Sequence, residues 1–187
     1  MERGHGAVVI GSEMSGSVTD VNIYDCEFAG TDRGLRLKTR RGRGGEITRI
    51  SIRDTKMDGV HTAVSGNCFY FCDADGKSDW VQSRSLHEVD ETTPKIHGVL
   101  LENLEIRNVR IAVGAFYGLP EAPIEGVKIS KIRVTFDESA EGGEPVMACQ
   151  IPAMHHEGFI VDNAHVMFDA DAQFTLLQSE SERAVSC

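Results

Sequence analysis

Residues 47–57 read Ile-Thr-Arg-Ile-Ser-Ile-Arg-Asp-Thr-Lys-Met, with apolar side chains at offsets 0, 3, 5 and 10 from Ile47. This spacing departs from the return of roughly 3.6 residues that a helical face needs. Offsets 3 and 5 do share one face of a strand, because alternate strand residues point the same way. The polar Asp54 stands at offset 7, where a turn would interrupt the strand. The stretch therefore predicts a strand–turn–strand unit.

The same apolar pattern occurs in four copies. They start at Val18, Ile47, Ile96 and Ile124, so successive starts lie 29, 49 and 28 residues apart. Offset 7 is polar in every copy, as Asp25, Asp54, Asn103 and Lys131. A unit of this length cannot bury its apolar face alone, whereas units stacked in register become the rungs of a solenoid. The repeats therefore predict an all-β fold, a single-stranded parallel β-helix.

The repeats also predict the domain organisation. Rungs are expected over residues 1–177 and a polar C-terminal tail over residues 178–187. The 49-residue step holds extra residues at about 67–95, whose polar, glycine-containing and aromatic composition predicts a long loop on one side of the solenoid. Near the C-terminus Val161, Ala164 and Val166 fit the apolar pattern, but Asp171 occupies the last apolar offset. This decay indicates a degenerate end rung.

Composition limits the class of protein. Hydrophobic residues make up 41% of the chain and charged residues 26%, as in a globular domain. No apolar run approaches the roughly 18 residues of a membrane span, and the N-terminus carries no apolar signal core. The chain as it stands is therefore expected to be cytoplasmic and not to contact a membrane, although a longer parent protein could be extracellular.

Cysteine usage and charge limit cofactors and partners. The five cysteines are odd in number and scattered, which argues for reduced thiols rather than a disulfide framework. No cysteine pairs have the spacing of a zinc site, and neither a metal nor another cofactor is predicted. The net charge of −10 makes nucleic acid an unexpected partner. An anionic substrate would need a local basic pocket.

Such a basic pocket is predicted around Arg36 and Lys38. One residue separates them in a strand-like stretch, so both side chains should project from one face. Six basic residues occur within 11 positions, namely Arg33, Arg36, Lys38, Arg40, Arg41 and Arg43. Cations held in this way suit a sugar that carries a carboxylate, and the alternative is a solvated basic loop. Nucleic acid would need aromatic side chains for stacking, and residues 29–49 contain none.

Two motifs resemble a known family. Residues 4–16 read Gly-His-Gly-Ala-Val-Val-Ile-Gly-Ser-Glu-Met-Ser-Gly, and residues 31–39 read Thr-Asp-Arg-Gly-Leu-Arg-Leu-Lys-Thr. Together they resemble the polygalacturonase family, family 28 of the glycoside hydrolases, in its C-terminal part only. The resemblance implies a right-handed parallel β-helix that hydrolyses the α-1,4-galacturonosyl bonds of pectin. Its substrate is then an oligogalacturonide or pectin chain.

The resemblance also implies roles for individual residues. His5, in Gly-His-Gly, corresponds to an auxiliary catalytic residue that helps to position the substrate, and its two glycines permit close approach. Arg36 and Lys38, in Arg-x-Lys, correspond to substrate-binding residues. Residues 116–121 resemble bacterial members of the family, and there Tyr117 would either stack on a sugar ring or pack as a loop aromatic.

The family's catalytic aspartates precede the Gly-His-Gly motif, and three residues precede Gly4 here. The resemblance therefore implies an N-terminally truncated helix that lacks its acid–base pair, although hydrolysis normally takes two carboxyl groups. Glu13, Asp25 and Asp32 lie nearby in sequence, but their spacing shows no converging pair.

Three functions follow from this pattern. The chain is either a fragment of a galacturonide hydrolase, expected to be inactive alone, or a non-catalytic uronide-binding or remnant module, or a solenoid fragment without a ligand. In each case an open first rung predicts self-association or a partner that covers it.

Overall fold

The computed structural model describes residues 1–169 and 175–176, which form strands joined by loops and one short helix. The strands in chain order are β1 (Glu2–Gly4), β2 (Val8–Ile10), β3 (Val18–Tyr24), β4 (Glu27–Thr31), β5 (Arg33–Lys38), β6 (Glu46–Asp58), β7 (Thr62–Asn67), β8 (Lys95–Val109), β9 (Ala112–Tyr117), β10 (Ile124–Phe136), β11 (Glu157–Asp162), β12 (Ala164–Phe168) and β13 (Thr175–Leu176). Helix α1 covers Asp79–Gln82.

The strands form two parallel sheets, as a β-helix requires. The long-strand sheet has the order β1-β4-β6-β8-β10-β12, and β3 and β13 pair with β6 and β10. The short-strand sheet has the order β11-β9-β7-β5-β2. Since successive passes of the chain pair in parallel in both sheets, each pass is one rung. The fold class predicted from the repeats is confirmed.

The predicted apolar columns are in register across the rungs. Ile50 pairs with Val21 on one side and with Val99 on the other, and Val99 pairs with Val127. The side chains of Ile50, Val99 and Val127 are almost completely buried. Hydrophobic burial between rungs, worth about 25 cal/mol per Å² of apolar surface, therefore holds the coil together.

The polar residues at offset 7 form the corners. Asp25, Asp54, Asn103 and Lys131 have φ angles of 51°, 47°, 51° and 52°. This left-handed conformation is unfavourable for most side chains, and Asn and Asp tolerate it best. The long strands β6, β8 and β10 bend at these residues, so each strand supplies two sides of its rung.

The loop expected at about residues 67–95 runs from β7 to β8 and packs tightly against the solenoid. It contains the single turn of α1, which the sequence reading did not predict, and Ser78 caps this turn by accepting a hydrogen bond from the Val81 N–H at 3.4 Å. The buried Gln82 amide donates to the carbonyls of Phe69 and Gly76 at 2.8 and 2.7 Å. These bonds fold the loop onto itself.

The last rung departs from the predicted register. Val161 lies in β11 of the short-strand sheet and pairs with Phe116, while Ala164 pairs with Ile124 and Val166 with Val127. The assignment of Val161, Ala164 and Val166 to offsets 0, 3 and 5 was therefore wrong, because Ala164 and Val166 pair with the residues at offsets 0 and 3 of the preceding rung.

The reason is the corner between β11 and β12, which consists of Asn163 alone at a φ of 47°. Asp171, residue 177 and the predicted tail 178–187 lie outside the described residues. Within the described part of the chain, no helix is long and apolar enough to cross a membrane.

Candidate functional site

Strand β5 presents its cations on the outer face of the short-strand sheet. Leu35 and Leu37 point inward and are fully buried, whereas Arg36 and Lys38 alternate with them and remain partly exposed. Both cations line the same cleft, as their spacing predicted. The alternation follows from strand geometry, because successive side chains leave opposite faces of a sheet.

The cleft has a volume of about 440 Å³ and takes its lining from five parts of the chain. Its lining residues are His5, Asp32, Arg33, Arg36, Lys38, His61, Tyr70 and Met147. They come from the first rung, β5 with its preceding corner, the corner before β7, and two loops, of which one carries Tyr70 and the other Met147. The sequence-predicted His5, Arg36 and Lys38 are therefore brought together.

Tyr70 lies against both cations of the cleft. Its ring centroid is 4.6 Å from Lys38 Nζ and 5.2 Å from Arg36 Cζ, within the range of a cation–π contact. Arg36 also contacts Met147 Sδ at 2.8 Å. The backbone carbonyl of Met147 accepts a hydrogen bond from the Asn67 amide at 3.0 Å. Arg36 is thus held between a tyrosine and a methionine, and Lys38 lies against the tyrosine; neither partner carries a carboxylate.

Arg33 also lines the cleft, and backbone carbonyls hold its side chain in place. Its guanidinium is buried and donates to the carbonyls of Asp32 and Glu144 at 2.7 and 2.9 Å. Burial and the neighbouring charge of Arg36 lower the pKa of Arg33 to about 10, with Asp32 opposing the shift. The guanidinium therefore stays protonated near neutral pH and contributes a fixed positive charge.

Asp32 stands between two histidines at the edge of the cleft. Its Oδ2 lies 2.8 Å from His5 Nδ1 and its Oδ1 lies 3.7 Å from His61 Nδ1. Burial raises the pKa of the Asp32 carboxyl, but the hydrogen bond to His5 and the charges of His61, His5 and Arg33 outweigh burial and leave this pKa below its usual value. Asp32 is therefore a carboxylate that orients the His5 ring.

Comparisons with known proteins agree with this geometry. The model of the family "Glycosyl hydrolases family 28" matches residues 1–140. A "Probable polygalacturonase" of Vitis vinifera is 30% identical over 129 residues, which cover 68% of this chain and 24% of that protein. This chain belongs to glycosyl hydrolase family 28. Its coil is the right-handed parallel β-helix of that family, and it spans about a quarter of the length of the Vitis relative.

In this family 28 chain, the basic run of residues 33–43 divides into two groups. Arg40 pairs with Asp73 and Asp75 at 3.1 and 2.9 Å, and Arg43 also pairs with Asp73. Arg41 pairs with Glu121 through two contacts of 2.6 and 3.0 Å. These three arginines are neutralised within the structure, so the basic pocket is smaller than the sequence suggested.

Tyr117 is placed away from the cleft lining. It ends β9, is 5% exposed, and faces the guanidinium of Arg84 at 5.8 Å. Arg84 in turn pairs with Asp162 at 3.5 Å. Burial and the charge of Asp162 raise the pKa of Tyr117. Its stacking on a sugar ring stays a prediction. The surroundings of Tyr117 are packed, as the alternative of a packed loop aromatic requires.

The other acids near the motifs do not join Asp32. Glu13 and Asp25 are exposed, and neither lines the cleft. Asp25 occupies a corner of the long-strand sheet. Across residues 1–169 and 175–176, no three His, Cys, Asp or Glu side chains are grouped so as to hold a metal ion.

Sequence reasoning missed three lining residues, for different reasons. His61 follows Asp32 by one 29-residue repeat step, so an alignment of the repeats would have found it beside Asp32. Tyr70 lies in the aromatic run 69–71 of the loop. This run indicated an aromatic contact, but not which residues the aromatic side chain would meet. Met147 gave no signal, because the position of its loop depends on long-range packing.

Proposed function

We propose that the cleft binds the galacturonic acid residues of pectin, as part of a family 28 enzyme that hydrolyses their α-1,4 bonds. The observation that carries this proposal is the pair Arg36 and Lys38. Among the described residues neither has a carboxylate partner, although the whole chain has a net charge of −10. Unpaired cations held in a cleft suit an anionic ligand.

The geometry assigns complementary tasks to the two cations. The planar guanidinium of Arg36 can bind a sugar carboxylate with two parallel hydrogen bonds, whereas the Lys38 ammonium acts as a point charge. Tyr70 and Met147 limit the movement of Arg36, so less side-chain entropy is lost when a ligand binds. Under this proposal, His5 and Asp32 stand at the end of the cleft as a hydrogen-bonded pair that assists the reaction.

One observation favours the second candidate function, a non-catalytic uronide-binding module. Glycoside hydrolysis normally takes two carboxyl groups on either side of the scissile bond. Of the described residues that line the cleft, Asp32 alone has a carboxyl group, and it is engaged with His5. The binding of galacturonides is thus better supported by these residues than their cleavage.

Binding is tested by calorimetric titration of trigalacturonate into the 187-residue chain. Arg36→Ala and Lys38→Ala should each weaken affinity by roughly 10- to 100-fold, as expected for hydrogen bonds to charged groups. Arg49→Ala is the matched control, because Arg49 is an exposed arginine of the long-strand sheet that pairs with Asp20. Equal affinity in all four proteins, or equal binding of neutral galactotriose, would contradict a uronide cleft.

Cleavage is tested separately by measuring reducing ends released from polygalacturonate. We expect little turnover from the 187-residue chain, because Asp32 is the one carboxyl group among the described residues that line the cleft. A hydrolase that lacks its catalytic acid or base is slower by about 10²–10⁴-fold. Robust turnover that Asp32→Asn removes and that Glu13→Gln and Asp25→Asn preserve would instead make Asp32 a catalytic acid or base. That result would reject the binding-module alternative and leave uronide binding intact.

A further inference from the structure

A second cavity, of about 190 Å³, lies between the loop of residues 68–94 and the solenoid. It is lined by Arg41, Trp80, His87, Glu88, Asp90, Thr92, Thr93 and Glu121. None of these residues lines the uronide cleft. Its volume is below the roughly 300 Å³ at which pockets for drug-sized ligands begin, so it suits one small ring.

We propose that this cavity binds one neutral sugar residue, stacked on Trp80 and hydrogen-bonded to His87. The inference does not depend on uronide binding in the cleft. It rests on a presented aromatic face, an unpaired buried nitrogen and the sign of the surrounding charge.

Trp80 is held in place with its indole partly open. The side chain is 45% exposed, although its backbone is tightly fixed. The Arg41 guanidinium donates to the carbonyls of Trp80, Val81 and Ser83 at 3.1, 3.3 and 2.7 Å. The indole also passes so close to Gly42, at a φ of 86°, that a side chain there would meet the ring at 3.3 Å. The nearby Gly42 restricts the indole, and a restricted aromatic face loses less entropy when it binds a ring.

His87 lines the cavity and carries a ring nitrogen without a partner in the described part of the chain. Its Nε2 is buried and has no hydrogen-bond partner among the described residues. A buried polar atom without a partner is costly, and the cost is relieved when a ligand supplies the missing hydrogen bond. A sugar hydroxyl can either donate or accept, so it fits either tautomer of the ring.

The charges around the cavity select against an acidic sugar. Arg41 and Glu121 neutralise each other on its floor, each with a side chain only 2% exposed. Glu88 and Asp90 remain as exposed carboxylates, and Asp90 is fixed by the Thr92 N–H at 2.8 Å. The hydrogen bonds from Thr92 and Thr93 lower the pKa of Asp90, so it stays ionised. The cavity therefore has an excess of negative charge, whereas the cleft has an excess of positive charge.

The test uses the fact that Trp80 is the chain's only tryptophan. Methyl galactoside and a galactan tetrasaccharide should shift its fluorescence in a saturable manner, whereas methyl galacturonoside, which differs from methyl galactoside only in its C6 carboxylate, should not. Arg36→Ala should leave the galactoside response unchanged. A saturable response to the tetrasaccharide alone would place the sugar within a longer chain and still supports the proposal.

Variants are followed by calorimetry, because replacing Trp80 removes the fluorescence signal. Trp80→Ala should weaken tetrasaccharide binding by roughly tenfold, Trp80→Phe should restore most of it, and His87→Leu should weaken it while His87→Gln retains it. Unfolding midpoints equal to wild type show that the loop stays folded. An unchanged fluorescence spectrum with both neutral sugars would overturn the proposal. An equal response to methyl galacturonoside that Arg36→Ala abolishes would also overturn it.

Discussion

The basic run of residues 33–43 contains two groups of cations that differ in exposure and in pairing with acids. Arg36 and Lys38 line the cleft beside Tyr70, with no carboxylate partner among the described residues. Arg40 and Arg41, a few positions later, have side chains only 7% and 2% exposed and are paired with acids. The acids that neutralise them lie 33 to 80 residues away in sequence. Local sequence therefore reveals where cations are, but distant residues decide which remain available to a ligand.

The difference has a physical cause. A charge removed from water is costly unless a partner and hydrogen bonds compensate for it. Arg41 receives that compensation from Glu121 and four loop carbonyls, and it thereby holds the loop in place. Arg36 stays partly exposed and needs no acid. One group of cations is paired within the structure, and the other is available to the anionic ligand that we propose.

The largest expected effect comes from breaking the buried pair. Glu121→Ala leaves the Arg41 charge without a partner and should lower the free energy of unfolding by about 3–5 kcal/mol. Urea denaturation measures the loss, and hydrogen exchange should show the weakest protection in residues 68–94. Glu125→Ala removes an exposed acid nearby and is the control. A loss no larger than that of the control would show that the pair does not hold the loop.

A smaller loss is expected at the partners of Arg40. Asp73→Asn combined with Asp75→Asn should lower the unfolding midpoint by less than Glu121→Ala does, because these acids are exposed and the amides keep part of the hydrogen bonding. The affinity for trigalacturonate should not rise, since the Arg40 side chain remains buried. Thermal unfolding and calorimetry measure the two quantities. A marked gain in uronide affinity would mean that burial does not separate the two groups of arginines.

Tyr70 tests how the binding group is held. Tyr70→Leu removes a ring that lies near both cations and should weaken trigalacturonate binding by roughly two- to fivefold, as exposed cation–π contacts are worth about 0.5–1 kcal/mol. Tyr70→Phe keeps the ring and should bind nearly as wild type does. If the Phe variant were as weak as the Leu variant, the tyrosine hydroxyl and not the ring would be the important group.

The smallest effect is a pH dependence of binding. Burial lowers the pKa of His61, and Arg110 and Arg33 lower it further, while Asp32 opposes them. As pH falls from the usual histidine pKa through this lower value, the unfolded chain takes up the proton first, so folding stability decreases. Protonation in the folded state adds a positive charge to the cleft, and trigalacturonate binding should tighten by about two- to threefold from about pH 7.5 to about pH 5.

Calorimetry across this pH range measures the change, and NMR titration assigns it. The groups that face His61 are Asp32, Arg33 and Arg110, and His5 shares Asp32 with it. His61→Gln should flatten the profile. A profile that is unchanged in His61→Gln and flat in His5→Gln would assign the pH dependence to His5 instead.

Much of the fold could be predicted because it is repetitive. The apolar column through Ile50 and the corners at Asp54 and Asn103 obey local rules of strand alternation and left-handed backbone conformation. The last rung could not be predicted, because the single-residue corner at Asn163 changes the register in a way that only the paired strands reveal.

The site was predictable where a motif and a strand coincide. Arg36 and Lys38 share a face because β5 is a strand, and their spacing alone indicates this. Tyr70 and Met147 reach the cleft from loops whose course depends on distant contacts, such as the hydrogen bond from Asn67 to the Met147 carbonyl. The self-association expected from the sequence stays a prediction; β1 and β2 lie at the ends of the two sheets formed by the described residues.

The excursion between β7 and β8 has a consequence for how such proteins can diversify. The chain leaves the sheets after Asn67 and returns at Lys95, which pairs directly with Glu46. The pairing of the strands therefore does not depend on the length of the loop. New chemistry can accordingly be introduced here by exchanging a segment, without a change to any strand. A transplanted segment would, however, need both Arg41 and Glu121 in its recipient, because the ion pair between them joins the rungs on either side of the loop. The transferable module is therefore the loop together with two residues outside it.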